Sequence, residues 1–264
     1  MTTRTQTNTL AISASHLNLT LGGKELLNNV SLDIHSGQLT TLLGPNGAGK
    51  SSLLKLLCGE IPSDADIQFF GRERSKWLKP ELAKHLGMLP QNSTLSFAFT
   101  VQEVVDLGAL PLALTRADTQ VITQEMMEKV EVTHLSERLY PSLSGGEKQR
   151  VHFARVLTQI SQTQDQKILM LDEPTSALDL AHQHNTLKLA RQMADEGAAV
   201  IVVLHDLNLA AQYSDRLIVL KGGKIQADGK PWDALTESMI QNVYGHKTLV
   251  TKHPIDDYPV VYAA

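Results

Sequence analysis

The chain has 264 residues, of which 42% are hydrophobic and 20% are charged, a balance typical of a folded globular protein. Its 24 basic and 28 acidic residues give a formal net charge of −4. That charge argues against a broad basic surface for nucleic-acid backbones, so we expect no nucleic-acid partner.

Cysteine content and hydropathy restrict the compartment. Cys58 is the single cysteine, which excludes an intrachain disulfide and favours a reducing environment. The longest purely apolar run, residues 198–204, is far shorter than the ~20 residues that a membrane-spanning helix needs. The polar N-terminus lacks the apolar stretch of a secretory signal peptide. These features predict a cytoplasmic protein that does not itself cross a membrane.

The first part of the chain predicts a strand, a glycine loop and a helix. Alternating apolar and polar residues over 10–21 and 30–34 predict strands with one solvated face. Residues 39–43 form a short apolar strand that ends at Gly44. Leucines at helical spacing over residues 49–57 then predict a helix.

The second half alternates between buried strands and helices. Apolar runs at 168–171, 199–204 and 217–220 predict strands, and residues 180–196 and 207–213 predict helices between them. This alternation indicates an α/β fold with a parallel sheet covered on both faces.

Two regions depart from that alternation. Residues 100–141 lack strand signals and have helical spacing around 121–132, so we interpret them as a helical insertion. The last twenty residues contain Pro254 and Pro259 and predict a loop-rich tail.

Residues 44–51 match the P-loop pattern G-x-x-x-x-G-K-[ST]. Glycines let backbone N–H groups turn towards a polyphosphate, and the following helix adds its positive end. We expect Lys50 to reach the β- and γ-phosphates and Ser51 to ligate Mg²⁺. The predicted nucleotide-binding residues are Gly44, Pro45, Asn46, Gly47, Ala48, Gly49, Lys50, Ser51 and Ser52.

Two carboxylates follow the apolar strand at 168–171. At the carboxyl end of that strand, Asp172 is placed to approach Mg²⁺, and Glu173 is placed to act as a general base on the attacking water. The alternative is a strand that simply ends in an acidic loop, and the P-loop earlier in the chain favours the catalytic interpretation.

A helix start lies at residues 144–147, which read Ser144, Gly145, Gly146 and Glu147. Ser144 and Glu147 have the spacing of a capping box, which by itself explains both residues. The two glycines weaken the first helical turn and predict that something anionic approaches this backbone.

With these motifs in this order, residues 10–244 resemble the ATP-binding cassette (ABC) ATPases, whose signature motif matches residues 144–147. We call residues 144–147 the signature segment. The resemblance implies the ABC ATPase fold: a P-loop NTPase core with a parallel sheet, an N-terminal antiparallel β-subdomain and an inserted α-helical subdomain.

The resemblance also implies how one domain over residues 1–264 is divided. The nucleotide-binding core would span 10–90 and 162–245. The helical subdomain would span 92–161 and carry the signature segment, and 246–264 would form the tail.

Further site residues come from the resemblance alone. Gln91 matches the glutamine that contacts Mg²⁺ and the attacking water, and His205 matches the histidine that contacts the γ-phosphate. The D-loop, which lines the dimer interface in the family, matches Ser176, Ala177, Leu178 and Asp179. Glu173, His205 and Gln91 are thus the predicted catalytic residues, and Ser51, Gln91 and Asp172 the predicted metal ligands.

In the family, the signature segment contacts the ATP held by a second subunit. The resemblance therefore implies a homodimer with two shared active sites, and ATP and Mg²⁺ as the bound cofactors. One position departs from the pattern: Leu21 stands where many members have an aromatic residue that stacks on adenine. We expect apolar packing on adenine there, weaker base discrimination, and hydrolysis of GTP as well.

A finer resemblance, over residues 176–183 and 204–211, is to the members that serve iron chelates, haem and vitamin B12. Residues 58–62, 182–184 and 259–261 are most similar to the ATPases of haem (hemin) importers. This implies two copies of a separate transmembrane permease, a periplasmic haem-binding protein as an indirect partner, and a peripheral position on the cytoplasmic face of a bacterial inner membrane.

Alternatives remain open at this point. A ferric-siderophore or cobalamin importer ATPase would share the same motifs, and a soluble ABC ATPase of the iron–sulfur assembly type is also a single cassette. The ten histidines show no metal-site spacing, and His182 and His184, two residues apart, cannot share one helix face. We therefore expect no direct binding of haem to this chain.

Overall fold

The computed structural model describes residues 9–91, 95, 97–163 and 165–264. Its strands are β1 (Leu10–Leu21), β2 (Lys24–His35), β3 (Gln38–Leu43), β4 (Asp66–Phe69), β5 (Arg72–Glu73), β6 (Leu86–Leu89), β7 (Ile168–Asp172), β8 (Ala199–Val203), β9 (Arg216–Lys221), β10 (Lys224–Gly229), β11 (Thr248–Lys252) and β12 (Pro259–Ala263). Its α-helices are α1 (Lys50–Cys58), α2 (Lys79–His85), α3 (Val101–Asp106), α4 (Arg116–Lys129), α5 (Gly145–Gln159), α6 (Leu180–Asp195), α7 (Leu207–Tyr213), α8 (Pro231–Ala234) and α9 (Glu237–Tyr244). Short 3₁₀ turns lie at Arg74–Lys76, Leu107–Leu112, Thr133–Leu135 and Tyr140–Ser142.

The N-terminal region forms an antiparallel sheet in the order β2-β1-β4-β5. A two-residue turn joins β1 to β2, and both of its glycines have positive φ, +58° at Gly22 and +78° at Gly23. Such turns match the twist of the strands that they connect. The predicted strand at 10–21 is confirmed. Strand β2 begins at Lys24, earlier than the predicted 30–34. The prediction missed its first residues because Asn28 and Asn29 interrupt the apolar–polar alternation.

The central sheet has the order β10-β9-β3-β8-β7-β6. Its strands pair in parallel from β9 to β6, and only β10 at the edge is antiparallel. Successive residues of β7 point into different hydrophobic cores. Leu169 and Leu171 pack with the helices α5 and α6, whereas Ile168 and Met170 pack with α1 and the antiparallel sheet. The predicted parallel sheet, covered on both faces, is therefore confirmed.

Residues 101–159 are mostly helical, as the spacing over 100–141 predicts. The helices α3, α4 and α5 pack around fully buried side chains such as Val104, Met127 and Val151. Thr100 begins α3 with a capping box that includes Glu103. No helix within the described ranges is long and apolar enough to cross a membrane.

The prediction of a loop-rich tail is wrong. Strands β11 and β12 form a hairpin, paired from Thr248 with Ala263 to Lys252 with Pro259. Pro259 is the first residue of its strand, where a proline is tolerated, and β-branched residues follow it. The hairpin docks on α7: Asn208 Nδ2 donates to the Val261 carbonyl (3.2 Å), and the Val261 N–H donates to Asn208 Oδ1 (2.7 Å).

Candidate nucleotide site

The P-loop connects β3 to α1 and is packed tightly against its neighbours. Gly44 has φ +144°, and a Cβ there would lie 2.1 Å from the Leu220 carbonyl oxygen. Gly49 has φ +100°, and a Cβ there would lie 2.5 Å from the Leu26 carbonyl oxygen. Both contacts are far shorter than any real Cβ contact, so these positions require glycine for packing as well as for conformation.

The start of α1 has the features of an anion site. Gly49 is its N-cap, and no side chain caps the helix. Its first N–H groups therefore lack an intrahelical or capping partner, and the positive end of the helix dipole adds to them. This end of α1 lies in the cleft described below, where a phosphate group can satisfy those donors.

Lys50 is 5% exposed, and its ammonium group donates to the carbonyl oxygens of Gly44 (2.8 Å) and Pro45 (3.2 Å). Burial lowers the pKa of Lys50, and the carboxylates of Glu173 and Asp172 oppose that shift. The side chain thus stays folded along its own loop, with its charge at the base of the cleft.

Asp172 ends strand β7 and is 1% exposed. Ser51 Oγ donates to Asp172 Oδ1 at 2.9 Å. Burial raises the pKa of Asp172, and the bond from Ser51 opposes the shift. A hydroxyl and a carboxylate oxygen beside a phosphate cradle are hard oxygen donors of the kind that Mg²⁺ prefers, so these two residues fit the predicted metal site.

Three polar residues meet where neighbouring parallel strands end. Gln91 follows β6, Glu173 follows β7, and His205 follows β8. Gln91 Nε2 donates to Glu173 Oε2 at 2.7 Å, and His205 Nε2 lies 2.7 Å from Glu173 Oε1. Both carboxylate oxygens of Glu173 therefore have a partner. The structure brings together the three side chains that the sequence predicts as catalytic.

These groups line one cleft of about 450 Å³. Its lining consists of Leu26, Asn46, Gly47, Ala48, Gly49, Lys50, Ser51, Ser52, Gln91, Glu173 and His205. Leu26 was not predicted from the sequence, because no motif distinguishes it from other strand leucines. Leu21, the predicted adenine neighbour, is 47% exposed at the end of β1 and does not line this cleft. Its contact with adenine stays a prediction.

The signature segment lies elsewhere: none of its residues lines the cleft of its own chain. Ser144 is the N-cap of α5, and its hydroxyl accepts from the Glu147 N–H (3.3 Å) while Glu147 Oε2 accepts from the Ser144 N–H (2.7 Å). These bonds lower the pKa of Glu147. The predicted capping box is confirmed.

The two signature glycines differ in their surroundings. A Cβ at Gly146 would lie 2.9 Å from the Ala177 carbonyl oxygen, so packing against the D-loop requires a glycine there. A Cβ at Gly145 would have only an ordinary contact, 3.8 Å from the Ala177 Cβ. Approach of an anion is thus unnecessary to explain Gly146 and remains the prediction for Gly145.

The D-loop is held at both of its ends. Asp179 caps α6 by accepting from the His182 N–H (2.9 Å), and it also accepts from His182 Nδ1 (2.8 Å). These bonds lower the pKa of Asp179. Gln183 Nε2 donates to the carbonyl oxygens of Leu178 (2.9 Å) and Thr175 (3.3 Å).

Two of the other histidines form hydrogen bonds with tyrosines, and the cysteine is partly buried. His152 is 4% exposed and shares a hydrogen bond of 2.8 Å with the hydroxyl of Tyr140, and His184 shares one of 2.7 Å with Tyr213. Cys58 is partly buried, and burial raises the pKa of its thiol. Across the described ranges, no group of three or more His, Cys, Asp or Glu side chains is arranged to hold a metal ion.

Known proteins are similar to this chain in sequence. The ABC transporter family model matches residues 27–176. The Hemin import ATP-binding protein HmuV of Aliivibrio fischeri is 66% identical over 257 residues, which cover 97% of this chain and 99% of the relative. HmuV of Photobacterium profundum is 64% identical over 252 residues, covering 96% and 91%.

Solved structures show the same architecture. One of them is cbiO1 from Clostridium perfringens, part of the ABC transporter complex cbiONQ, which matches with a TM-score of 0.72 at 26% identity. The match covers 88% of this chain and 93% of that structure. The predicted ABC ATPase fold is confirmed, and the chain belongs to the ABC transporter family.

Proposed function

We propose that this chain is the ATP-hydrolysing subunit of an importer that brings haem (hemin) into a bacterial cell through a separate permease. The observation that carries the ATPase assignment is the cleft in which an uncapped helix start, Lys50 and the paired carboxylate of Glu173 converge. The assignment to haem is supported by relatives named hemin import ATP-binding proteins, up to 66% identical over nearly the whole chain.

Binding of ATP would use residues 44–52. The N–H groups of the loop and of the first turn of α1 would donate to the phosphate oxygens. The Lys50 ammonium would exchange the carbonyl oxygens of Gly44 and Pro45 for the β- and γ-phosphates, trading neutral acceptors for charged ones. Such bonds are about twice as strong as bonds to neutral acceptors.

Ser51, Asp172 and Gln91 would hold Mg²⁺. When bound, this ion neutralises charge on the phosphates of the nucleotide. Ser51 and Asp172 are already paired at 2.9 Å, so their oxygens lie beside one another at the end of β7.

Hydrolysis would use Glu173 as the general base. The carboxylate takes a proton from a water molecule, the water oxygen forms a bond to the γ-phosphorus, and the bond from that phosphorus to the bridging oxygen of ADP breaks. Gln91 and His205 each hold one oxygen of the carboxylate at 2.7 Å, which orients it. His205 would also donate to the γ-phosphate.

The signature segment would serve a second copy of the chain. Ser144, Gly145, Gly146 and Glu147 lie outside the cleft of their own subunit. In a homodimer, the capped start of α5 would face the nucleotide of the partner subunit, and the D-loop from Ser176 to Asp179 would lie at the interface. ATP would then join the two copies and hydrolysis would release them.

The proposed assembly has this homodimer bound to two copies of a transmembrane permease at the cytoplasmic face of the inner membrane, with a periplasmic haem-binding protein as an indirect partner. We also propose one ABC ATPase domain over residues 1–264. Its core spans 10–90 and 162–245, its helical subdomain spans 92–161, and residues 246–264 form the terminal segment.

Reconstitution with the permease encoded beside this chain tests the proposal. We expect ATP-dependent uptake of haem into proteoliposomes, and no uptake with the Glu173→Gln variant as the matched control. Uptake of a ferric siderophore or of cobalamin in place of haem would contradict the assignment of the cargo. Recovery of the chain with soluble partners alone, as for an iron–sulfur assembly ATPase, would contradict its proposed role as the ATPase of an importer.

A further inference from the structure

The backbone of Glu173 has an unfavourable conformation. Its φ is +52°, in the left-handed region that side chains other than glycine rarely adopt. Pro174 follows it, and a residue before proline favours extended backbone. A conformation of this kind persists only where surrounding contacts hold it, and it is common at active sites.

The carbonyl oxygen of Glu173 accepts three hydrogen bonds that can hold this conformation. Two come from Ser176 in the D-loop, from its backbone N–H (3.3 Å) and from its hydroxyl (3.1 Å). The third comes from the side chain of Gln149, whose Nε2 donates at 3.0 Å. Gln149 belongs to α5, so this bond joins the helix that begins at the signature segment to the backbone of the predicted base.

The orientation of the Gln149 amide follows from its partner. A carbonyl oxygen can only accept, so the NH₂ end must face Glu173. The other end, Oε1, is buried and has no hydrogen-bond partner within the part of the chain that the structure describes. A buried amide oxygen without a partner is unfavourable. Among the described residues, the carbonyl of Glu173 is the one hydrogen-bond partner of the Gln149 amide.

The start of α5 and the D-loop are in close contact. Gly146 lies three positions before Gln149, on the same face of the helix. It packs so tightly on the Ala177 carbonyl that a Cβ would lie 2.9 Å from that oxygen. A shift of the signature segment relative to the D-loop would therefore also move the Gln149 amide relative to Glu173.

We propose that Gln149 is a positioning residue for hydrolysis: through the backbone carbonyl of Glu173, it links the placement of the catalytic carboxylate to the position of the signature helix. This inference rests on the proposed role of Glu173 as the general base. Gln149 itself touches neither nucleotide nor water in this role.

The test is Gln149→Met in the full-length chain, because methionine keeps the length of the side chain and removes the donor. We expect kcat for ATP to fall by ~10-fold, the order of effect of a small misplacement of a catalytic group. We expect the Kd for a non-hydrolysable ATP analogue to stay within about twofold, since the phosphate contacts are untouched. An unchanged kcat, or a loss of affinity equal to the loss of rate, would overturn the proposal.

Gln159→Met is the matched control. Gln159 lies on the same helix, and its Nε2 donates to the carbonyl oxygens of Ala83 and Leu86, both at 2.9 Å, away from Glu173. Its replacement should lower the melting temperature and leave kcat within about twofold of the parent. Equal losses of kcat in both variants would show a merely structural role for Gln149 and would overturn the proposal.

Two further variants complete the design. If Gln149→Met does not melt cooperatively, the near-isosteric Gln149→Glu removes the same donor, and a fall in kcat of ~10-fold supports the proposal whereas an unchanged kcat overturns it. Glu173→Gln separates the two hypotheses. If it hydrolyses ATP at the parental rate, the proposed base is wrong. If it is inactive while Gln149→Met is fully active, only the positioning role fails.

Discussion

The P-loop and the signature segment both lie at the start of a helix, and they differ in how that start is satisfied. No side chain caps α1, and its first turn opens into the cleft. At the start of α5, by contrast, the capping box of Ser144 and Glu147 pairs the backbone N–H groups of those two residues within the chain. The first is the proposed phosphate site of its own subunit. The second has a side-chain cap and lies outside the cleft of its own chain, and in the proposed homodimer it would face the nucleotide of the partner subunit.

The largest effect on ATP hydrolysis is expected from Glu173→Gln. The amide cannot accept the proton of the attacking water, and general bases contribute about 10²- to 10⁴-fold to a rate. We expect kcat to fall by at least ~100-fold while ATP affinity is retained, so that the closed dimer accumulates. Steady-state hydrolysis and size-exclusion chromatography with ATP measure both effects. Parental turnover would show that another group is the base.

Ser144→Arg tests the signature half-site. A long cation at the N-cap obstructs the face that would meet the nucleotide of the partner subunit, so we expect hydrolysis to fall by ~100-fold. The affinity of the monomer for ATP should not change. Ser142→Arg, two residues earlier and also exposed, is the control and should remain active. Weaker binding of ATP to the monomeric Ser144→Arg chain would show that the segment serves its own cleft.

Lys50→Ala tests the proposed phosphate site at the P-loop. Removing a charge-assisted bond to phosphate costs about 1.5–3 kcal/mol, so we expect the Kd for ATP to rise by ~10- to 100-fold. Titration calorimetry on the monomer measures this directly. Lys55→Ala on the same helix should bind ATP as the parent does. A parental Kd for Lys50→Ala would contradict the placement of the phosphates.

Leu21→Tyr gives a smaller effect. Stacking of an aromatic ring on a base contributes about 1–3 kcal/mol where it is complete, and Leu21 is half exposed, so we expect ATP affinity to rise by only ~5-fold. The same variant should discriminate better against GTP. Unchanged affinity for both nucleotides would place adenine elsewhere, with Leu26 as the next residue to examine.

The last effect concerns the stability of α5 rather than nucleotide binding or hydrolysis. Burial, with a contribution from Arg155, lowers the pKa of His152 from 6.5 to about 4. Between these values the unfolded chain binds a proton that the folded chain does not, so the stability present above pH 6.5 falls as the pH falls towards 4. The loss is at most ~1.4 kcal/mol per pH unit.

His152→Gln should therefore flatten the dependence of the melting temperature on pH between 6.5 and 4. The exposed His134→Gln is the control and should retain the parental slope. If both variants keep that slope, His152 does not carry the acid sensitivity.

The sequence predicted the parts of the fold in which apolar periodicity is strong. Strands β7 and β8 are mostly apolar, and α7 matches its predicted bounds. Strand β10 and helices α8 and α9 went unpredicted. In β10 half-buried and exposed residues alternate with few large apolar side chains, and α8 is a single turn. The hairpin near the C-terminus was missed because its two prolines outweighed its β-branched residues.

For the site, the sequence predicted the chemistry and missed much of the geometry. The strand pattern and the P-loop indicated Glu173, the family resemblance indicated Gln91 and His205, and the structure brings the three side chains together. The sequence could not show that Glu173 has a left-handed backbone, since such a conformation in a residue other than glycine depends on tertiary contacts. Nor could it distinguish Gly145 from Gly146, whose difference arises from how closely the D-loop approaches each of them.

Because the C-terminal hairpin docks on α7, a probe on the hairpin can report the movement of that helix. Asn208 binds Val261 by two hydrogen bonds, and it lies in the first turn of the helix that starts just after His205. Ile255, in the loop of the hairpin, is 86% exposed. A fluorescent probe attached there through Ile255→Cys, with Cys58 replaced, would report movement of that helix during turnover while leaving the cleft untouched.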